Sequence, residues 1–240
     1  MVSEFIPQDL GLEKGNLYEI LATTFSKSVI SEELKPNTSC MGIKLLENDL
    51  IKITPFPNTT TLRNLKDTGI ITLNFIENIY LYALAALKES NSSISFPLNN
   101  YNYIEIDNPF EDSLEKSTML IPYVRSSWAF LICIVADEDQ IIKRDVLGEI
   151  NVSEFKLHVI SSNKMKESFK LFNRAENLAL EAIILATRLR VAKDKNDKSL
   201  IITIQEKIDN YIKEIERFSK NQNALKAIQV VSEYINQLRD

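Results

Sequence analysis

The chain has 240 residues, 45% hydrophobic and 25% charged, with a net charge of −5 at pH 7. That length and apolar content suffice for a real core and exclude wholesale disorder. The acidic balance gives no bulk attraction to nucleic acid, so no nucleic-acid partner is expected.

With 5 glycines, the chain has neither a GxGxxG nor a GxxxxGK[ST] loop, which argues against a glycine-rich nucleotide cradle. Cys40 and Cys133 are far apart in strand-like runs and read as free buried thiols. The lone histidine, His158, has no Cys/His cluster around it, so no metal site is expected and it reads as a strand-face residue. Met1 to Leu10 lacks a basic start followed by an apolar run. No apolar stretch reaches the ~18 residues of a spanning helix. A cytoplasmic protein without a membrane segment is the expectation.

In chain order, residues 1–15 read as a polar lead-in. Leu17 to Phe25 is a strand with apolar residues on both faces, hence covered twice. Lys27 to Pro36 reads as a loop. Ser39 to Leu46 and Leu50 to Thr54 pair as a hairpin across Glu47-Asn48-Asp49. Thr59 or Thr60 caps a helix that stops near Gly69. Ile70 to Phe75 is a strand and Ile79 to Leu87 a helix. Asn91 to Asn100 is a Ser/Asn-rich loop, and Tyr101 to Asp107 alternates as a strand. Ser127 to Ala136 is a strand whose Trp128 and Phe130 belong to the core. Asp137-Glu138-Asp139 reads as a turn into Gln140 to Ile150, and Phe155 to Ser161 closes the sheet.

After Asn163 the apolar period changes from two to about 3.6. Phe169 to Leu189 marks one long helix, with Arg174, Glu181 and Arg188 on one stripe. Lys193 to Lys198 is a solvated connector. Ile201 to Phe218 and Leu225 to Leu238 form an antiparallel helical hairpin, packed on the first helix or on a partner. The fold class is therefore α+β: an antiparallel sheet domain over residues 1–163, then a helical domain over 164–240.

The chemistry-bearing stretch is Asn37 to Asn74. Two strands lead into Pro55-Phe56-Pro57-Asn58-Thr59-Thr60-Thr61, and this hydroxyl-rich turn opens a helix. A helix start offers unpaired N–H groups and partial positive charge, which suits a phosphate. The plainer reading of the three threonines is a helix cap with solvated hydroxyls.

Three blocks together resemble archaeal proteins of unknown function with the FMN-binding, flavin-reductase-like split-barrel fold. They are Asn37-Thr38-Ser39-Cys40-Met41-Gly42, then Phe56 through Asn64-Leu65-Lys66-Asp67-Thr68-Gly69 to Asn74, and Asn173-Arg174-Ala175-Glu176 followed by Glu181-Ala182 and Ala186-Thr187-Arg188. The resemblance runs from about Gly15 to about Arg190. It implies a six-stranded split barrel that works as a homodimer, with FMN in a cleft between subunits. Carried over, Ser39 and Met41 lie under the isoalloxazine ring, mainly through backbone groups. Thr54 and Pro55 line its other side, and Thr59, Thr61 and Asn64 hold the phosphate. Arg174 either reaches the cofactor cleft or fixes its helix through ion pairs.

Three positions depart from the family pattern. Asn58 stands where glycine is preferred, Thr60 where a basic residue is usual, and Cys40 where proline is common. A missing cation beside a phosphate removes a charge-assisted bond of about 1.5–3 kcal/mol, roughly one to two decades of affinity. Arg63, one turn later, either compensates or faces water. The implied activity is flavin-dependent redox chemistry on a small molecule. A flavin or phosphorylated-ligand carrier, or a dimeric interaction module, are the alternatives.

Overall fold

A computed structural model of the protein describes residues 6–27, 34–88, 94–111, 117–145, 148–168 and 174–238. Parts of the expected lead-in and of the two expected loops, and residues 169–173 of the expected long helix, lie outside the described residues.

Six strands close an antiparallel barrel in the order β1-β2-β3-β8-β7-β4. They are β1 (Leu17–Lys27), β2 (Leu34–Leu45), β3 (Ile51–Ile53), β4 (Ile70–Phe75), β7 (Ala129–Asp145) and β8 (Gly148–Lys164). Closure comes from β1 meeting β4 through Leu21↔Asn74, Ala22↔Leu73 and Thr23↔Thr72. A separate two-stranded sheet pairs β5 (Tyr101–Asp107) with β6 (Thr118–Val124). The helices are α1 (Thr60–Thr68), α2 (Ile79–Leu87), α3 (Arg174–Asp194), α4 (Lys198–Phe218) and α5 (Gln222–Gln237). No described helix is long and apolar enough to cross a membrane.

Alternation along the strands sorts two apolar clusters. Ile20, Ile43, Ile53, Leu73, Leu131 and Phe155 fill the barrel with Leu65 of α1. Phe25, Ile70, Phe130 and Ile132, on the opposite strand faces, pack with Ile121 of β6. Both faces of β1 and β4 are thus covered, as the two-sided apolar pattern of β1 requires. Each fully buried aliphatic side chain contributes roughly 1.5–3 kcal/mol. Trp128 is half-buried at the rim and packs on Phe75 at 5.6 Å between ring centroids.

Four expectations need correction. β2 begins at Leu34, so the expected loop is strand by Pro36, which pairs with Phe25. Proline is tolerated there because this part of β2 has a paired strand on one side only. β6 was not expected at all. Asp137-Glu138-Asp139 is not a turn, because β7 runs straight through it. Its carboxylates are neutralised on alternate sides, Asp137 and Asp139 by Lys156 at 2.7 and 2.9 Å, and Glu138 by Lys66 at 2.8 Å. Finally, α4 and α5 do not pair along their lengths. α4 lies along α3, and α5 packs against α2 and α3. The buried side of α3 is mostly alanine (Ala175, Ala179, Ala182, Ala186, Ala192), which lets three helices approach it closely.

Contacts group the chain into two compact units. One comprises Met1–Ile76, Leu98–Lys143 and Ile150–Ser168, the other Glu77–Pro97, Arg144–Glu149 and Phe169–Asp240. The barrel (apart from the adjoining tips of β7 and β8), α1 and the β5–β6 sheet belong to the first, and α2 to α5 to the second.

Candidate functional site

The β2–β3 hairpin is short on one side. Its strands pair at Ile43↔Ile53, Lys44↔Lys52 and Leu45↔Ile51. From Ser39 to Gly42, β2 is held by β1 but has no paired strand on its second edge among the described residues. Backbone N–H and C=O groups are obligatory hydrogen-bonding groups, so this edge is available to a planar polar ligand. Met41 sends its side chain into the barrel and is 8% exposed, leaving its backbone to that edge.

After β3 the chain turns through half-buried Thr54 and buried Pro55 to Asn58. Asn58 has φ 61°, the left-handed region where asparagine is the next choice after glycine. A family preference for glycine at this position therefore has a conformational cause that asparagine also satisfies. Thr59 is the N-cap of α1. Its Oγ1 accepts the Leu62 N–H at 3.2 Å and donates to the Phe56 carbonyl at 2.8 Å. The Thr60 and Thr61 amides fall within the first turn, where no intrahelical acceptor exists. The first turn carries no acid. Thr60 and Arg63 are exposed, and Phe56 is 53% exposed beside the cap.

Two polar residues of α1, Thr61 and Asn64, face inward. Thr61 is 3% exposed, and its Oγ1 accepts from Asn37 Nδ2 at 3.1 Å and contacts Ser39 Oγ at 2.9 Å. Asn64 is 2% exposed and donates to Thr24 Oγ1 at 3.3 Å. Thr61 and Asn64 thus dock α1 onto β2 and β1. The opposite face of β2 is held as well. Tyr101 Oη donates to Thr38 Oγ1 at 2.9 Å, and Thr38 Oγ1 meets Thr23 Oγ1 at 2.8 Å. Asn74 Nδ2 donates to Thr23 Oγ1 at 3.0 Å. Burial pushes the Tyr101 hydroxyl up to about 12.

Cys40 donates from Sγ to Glu19 Oε2 at 3.6 Å. Burial first, and the Glu19 charge second, push its thiol well above the ordinary range, so it is a neutral thiol and no nucleophile. Cys133 is buried, and neither cysteine forms a disulfide.

Of the residues singled out from sequence, Ser39 and Thr61 are brought into direct contact, with Thr54, Pro55 and Thr59 on the same connection and Asn64 on the same helix. Arg174 belongs to the helical unit, where its guanidinium pairs with Glu214 Oε2 at 2.8 Å. Thr24 and Tyr101 lie outside the stretch singled out from sequence, and Asn37 and Thr38, inside it, were given no role of their own. The available signal was the hydroxyl and amide side chains set inside otherwise apolar strands.

A family model described as "Protein of unknown function (DUF447) N-terminal domain" matches residues 18–160. The chain belongs to this DUF447 family. The match runs from Tyr18 in β1 to Ile160 in β8, while α3 to α5 lie beyond it. Among solved structures, the chain is similar to an FMN-bound protein of Methanosarcina mazei assigned to the same family. Identity there is 16% and the TM-score 0.69, over 95% of this chain and 98% of that one. Flavoredoxin from Methanosarcina acetivorans matches at 14% identity and TM-score 0.41, over 71% of this chain and 79% of that one. Flavin reductase HpaC, solved with NADP+, matches at 17% identity and TM-score 0.41, over 68% and 87%. The first likeness shows the fold alone, a six-stranded antiparallel barrel with its helices. The other two carry no further argument.

Proposed function

We propose that the protein binds FMN and acts as a flavin-dependent oxidoreductase on a small molecule. The observation that carries this reading is a coincidence in one fold. The open edge of β2 at Ser39–Gly42 and the capped, acid-free start of α1 are joined directly through Thr61 and Ser39. The first suits a flat polar ring and the second a phosphate. The FMN-bound Methanosarcina mazei protein of the same family supports the choice of ligand.

The donor set fits FMN. Ser39 and Met41 offer backbone groups to the ring, and Thr54 and Pro55 flank it. Thr59 fixes the first turn of α1, whose Thr60 and Thr61 amides, with the Thr60 hydroxyl, would hold the phosphate. Asn64 holds that helix in place from below. Arg63 is the first cation after the cap in sequence, and Arg174 serves its own helix through Glu214. A bound flavin supplies the redox chemistry, and the chain supplies position and electrostatics. With Cys40 neutral, no protein thiolate competes for that role.

The working form is a homodimer with the cleft between subunits. Phe56, 53% exposed beside the cap, offers apolar surface to a second copy. Two free thiols support a cytoplasmic setting.

Titration of the purified protein with FMN, followed by quenching of flavin fluorescence, tests the binding. Saturation at one flavin per chain is expected, and a linear response without saturation rejects it. Anaerobic addition of a reduced nicotinamide then separates enzyme from carrier. Bleaching of the bound flavin supports redox function, and an unchanged spectrum supports a carrier.

A further inference from the structure

We propose that Thr61 and Tyr101 are positioning residues for the flavin ring, acting as two buried clamps on opposite faces of β2. The inference rests on the FMN reading above and assigns Thr61 a role other than phosphate ligand.

β2 is held by a ladder on one edge only where the ring is to rest. A strand paired on one side is free to flex in the direction of the missing neighbour. Side chains from other elements replace that neighbour. From within the barrel, one hydroxyl, Thr61 Oγ1, ties Asn37 at 3.1 Å and Ser39 at 2.9 Å, two residues that share a strand face. From outside, Tyr101 Oη ties Thr38, the residue between them, at 2.9 Å. Thr38 continues through Thr23 to Asn74, at 2.8 and 3.0 Å. Three consecutive residues of β2, Asn37 to Ser39, are therefore fixed by side chains of α1, β5 and β1 where the open edge begins.

Burial and prior engagement on β2 argue against the Thr61 hydroxyl as a phosphate ligand. A phosphate dianion needs donors, and the one proton of the Thr61 hydroxyl is unavailable to it when it donates to Ser39 Oγ. The Thr61 hydroxyl is 3% exposed and already engaged with two partners on β2. The exposed Thr60 hydroxyl one residue earlier has no such engagement among the described bonds. The Thr61 side chain thus links the phosphate end of the site to the ring end, and its hydroxyl is not a phosphate ligand.

The test compares FMN with riboflavin, which has the ring and lacks the phosphate. Both are titrated into the unsubstituted protein and into the Thr61→Val, Thr61→Ser and Tyr101→Phe variants, each checked by circular dichroism. Thr61→Val and Tyr101→Phe are expected to weaken both flavins by similar factors, about tenfold. They are also expected to shift the absorbance maximum of the bound flavin. Thr61→Ser keeps the hydroxyl and restores both readings. Weakening of FMN alone by Thr61→Val makes Thr61 a phosphate ligand and overturns the inference, as does an unchanged affinity for both flavins. If Thr61→Val does not fold, Tyr101→Phe and Thr61→Ser decide by the same comparison. Uptake of neither flavin by the unsubstituted protein rejects the FMN reading itself, a result distinct from normal uptake with insensitive variants.

Discussion

Replacing Asn74 by alanine tests whether a buried amide fastens the β5–β6 sheet to the barrel. Asn74 is fully buried on β4. Its Nδ2 donates to the Leu21 carbonyl at 2.9 Å, to Thr23 Oγ1 at 3.0 Å and to the Thr72 carbonyl at 3.1 Å. Its Oδ1 accepts the Val124 N–H at 2.7 Å and Ser127 Oγ at 3.4 Å. Alanine strands the Val124 N–H, a buried donor whose desolvation costs about 1–3 kcal/mol. It also leaves a small void, adding roughly 1 kcal/mol. The sum is about 2–4 kcal/mol, which at roughly 2–4 °C per kcal/mol for a chain of this size lowers Tm by about 5–15 °C. Thermal unfolding followed by circular dichroism reads the shift. A Tm within about 2 °C of the unsubstituted protein would show that these hydrogen bonds do not hold the sheet. Asn74→Asp gives a second reading, since it keeps the acceptor for Val124 but buries a carboxyl group. Burial raises the folded-state pKa of such a group, so this variant is least destabilised at acidic pH and loses stability as pH rises above the unfolded carboxylate range.

Tyr101 predicts an alkaline limit. Its hydroxyl is raised from 10.0 to about 12 in the folded protein. The unfolded chain therefore ionises first, and stability present below pH 10 is lost between about pH 10 and 12. Tyr101→Phe removes this part of the slope in melts taken across that range, and identical slopes refute the burial argument. Thr59→Ala removes the N-cap of α1, costs about 1 kcal/mol in a denaturant titration, and weakens FMN more than riboflavin. Equal loss for both flavins contradicts the placement of the phosphate. Asn58→Gly is expected to change Tm by no more than about 2 °C, whereas Asn58→Val forces a β-branched residue to positive φ and costs about 1–2 kcal/mol. Lys156→Met is expected to leave Tm nearly unchanged, because Lys156, Asp137 and Asp139 are solvated ion-pair partners.

Local chemistry was legible in the sequence. Thr59 caps α1 and Gly69 ends it with φ 67°, both readable from residue type. The β2–β3 hairpin followed from its turn, where Asn48 and Asp49 take φ 57° and 58°. β6 was hidden because Pro122 sits within it and its burial does not alternate cleanly. A run of three acids reads as a turn until Lys66 and Lys156 are known to lie alongside, and both come from other elements. The helical pairing was misread because adjacency in sequence stood in for packing, whereas the alanine face of α3 draws α2, α4 and α5 to itself. The site divided in the same way. The hydroxyl-rich helix entrance was visible, but the inward aim of Thr61 and Asn64 depends on partners 22 to 40 residues away. Residue type alone does not reveal such partners.

The central claim is that an open strand edge and a capped helix start hold one flavin nucleotide. The absorbance spectrum of freshly purified protein, taken before any cofactor is added, tests it most directly. A yellow protein, with flavin bands that persist through gel filtration and release FMN on denaturation, is the predicted result. A colourless protein that stays colourless after incubation with excess FMN and gel filtration contradicts it.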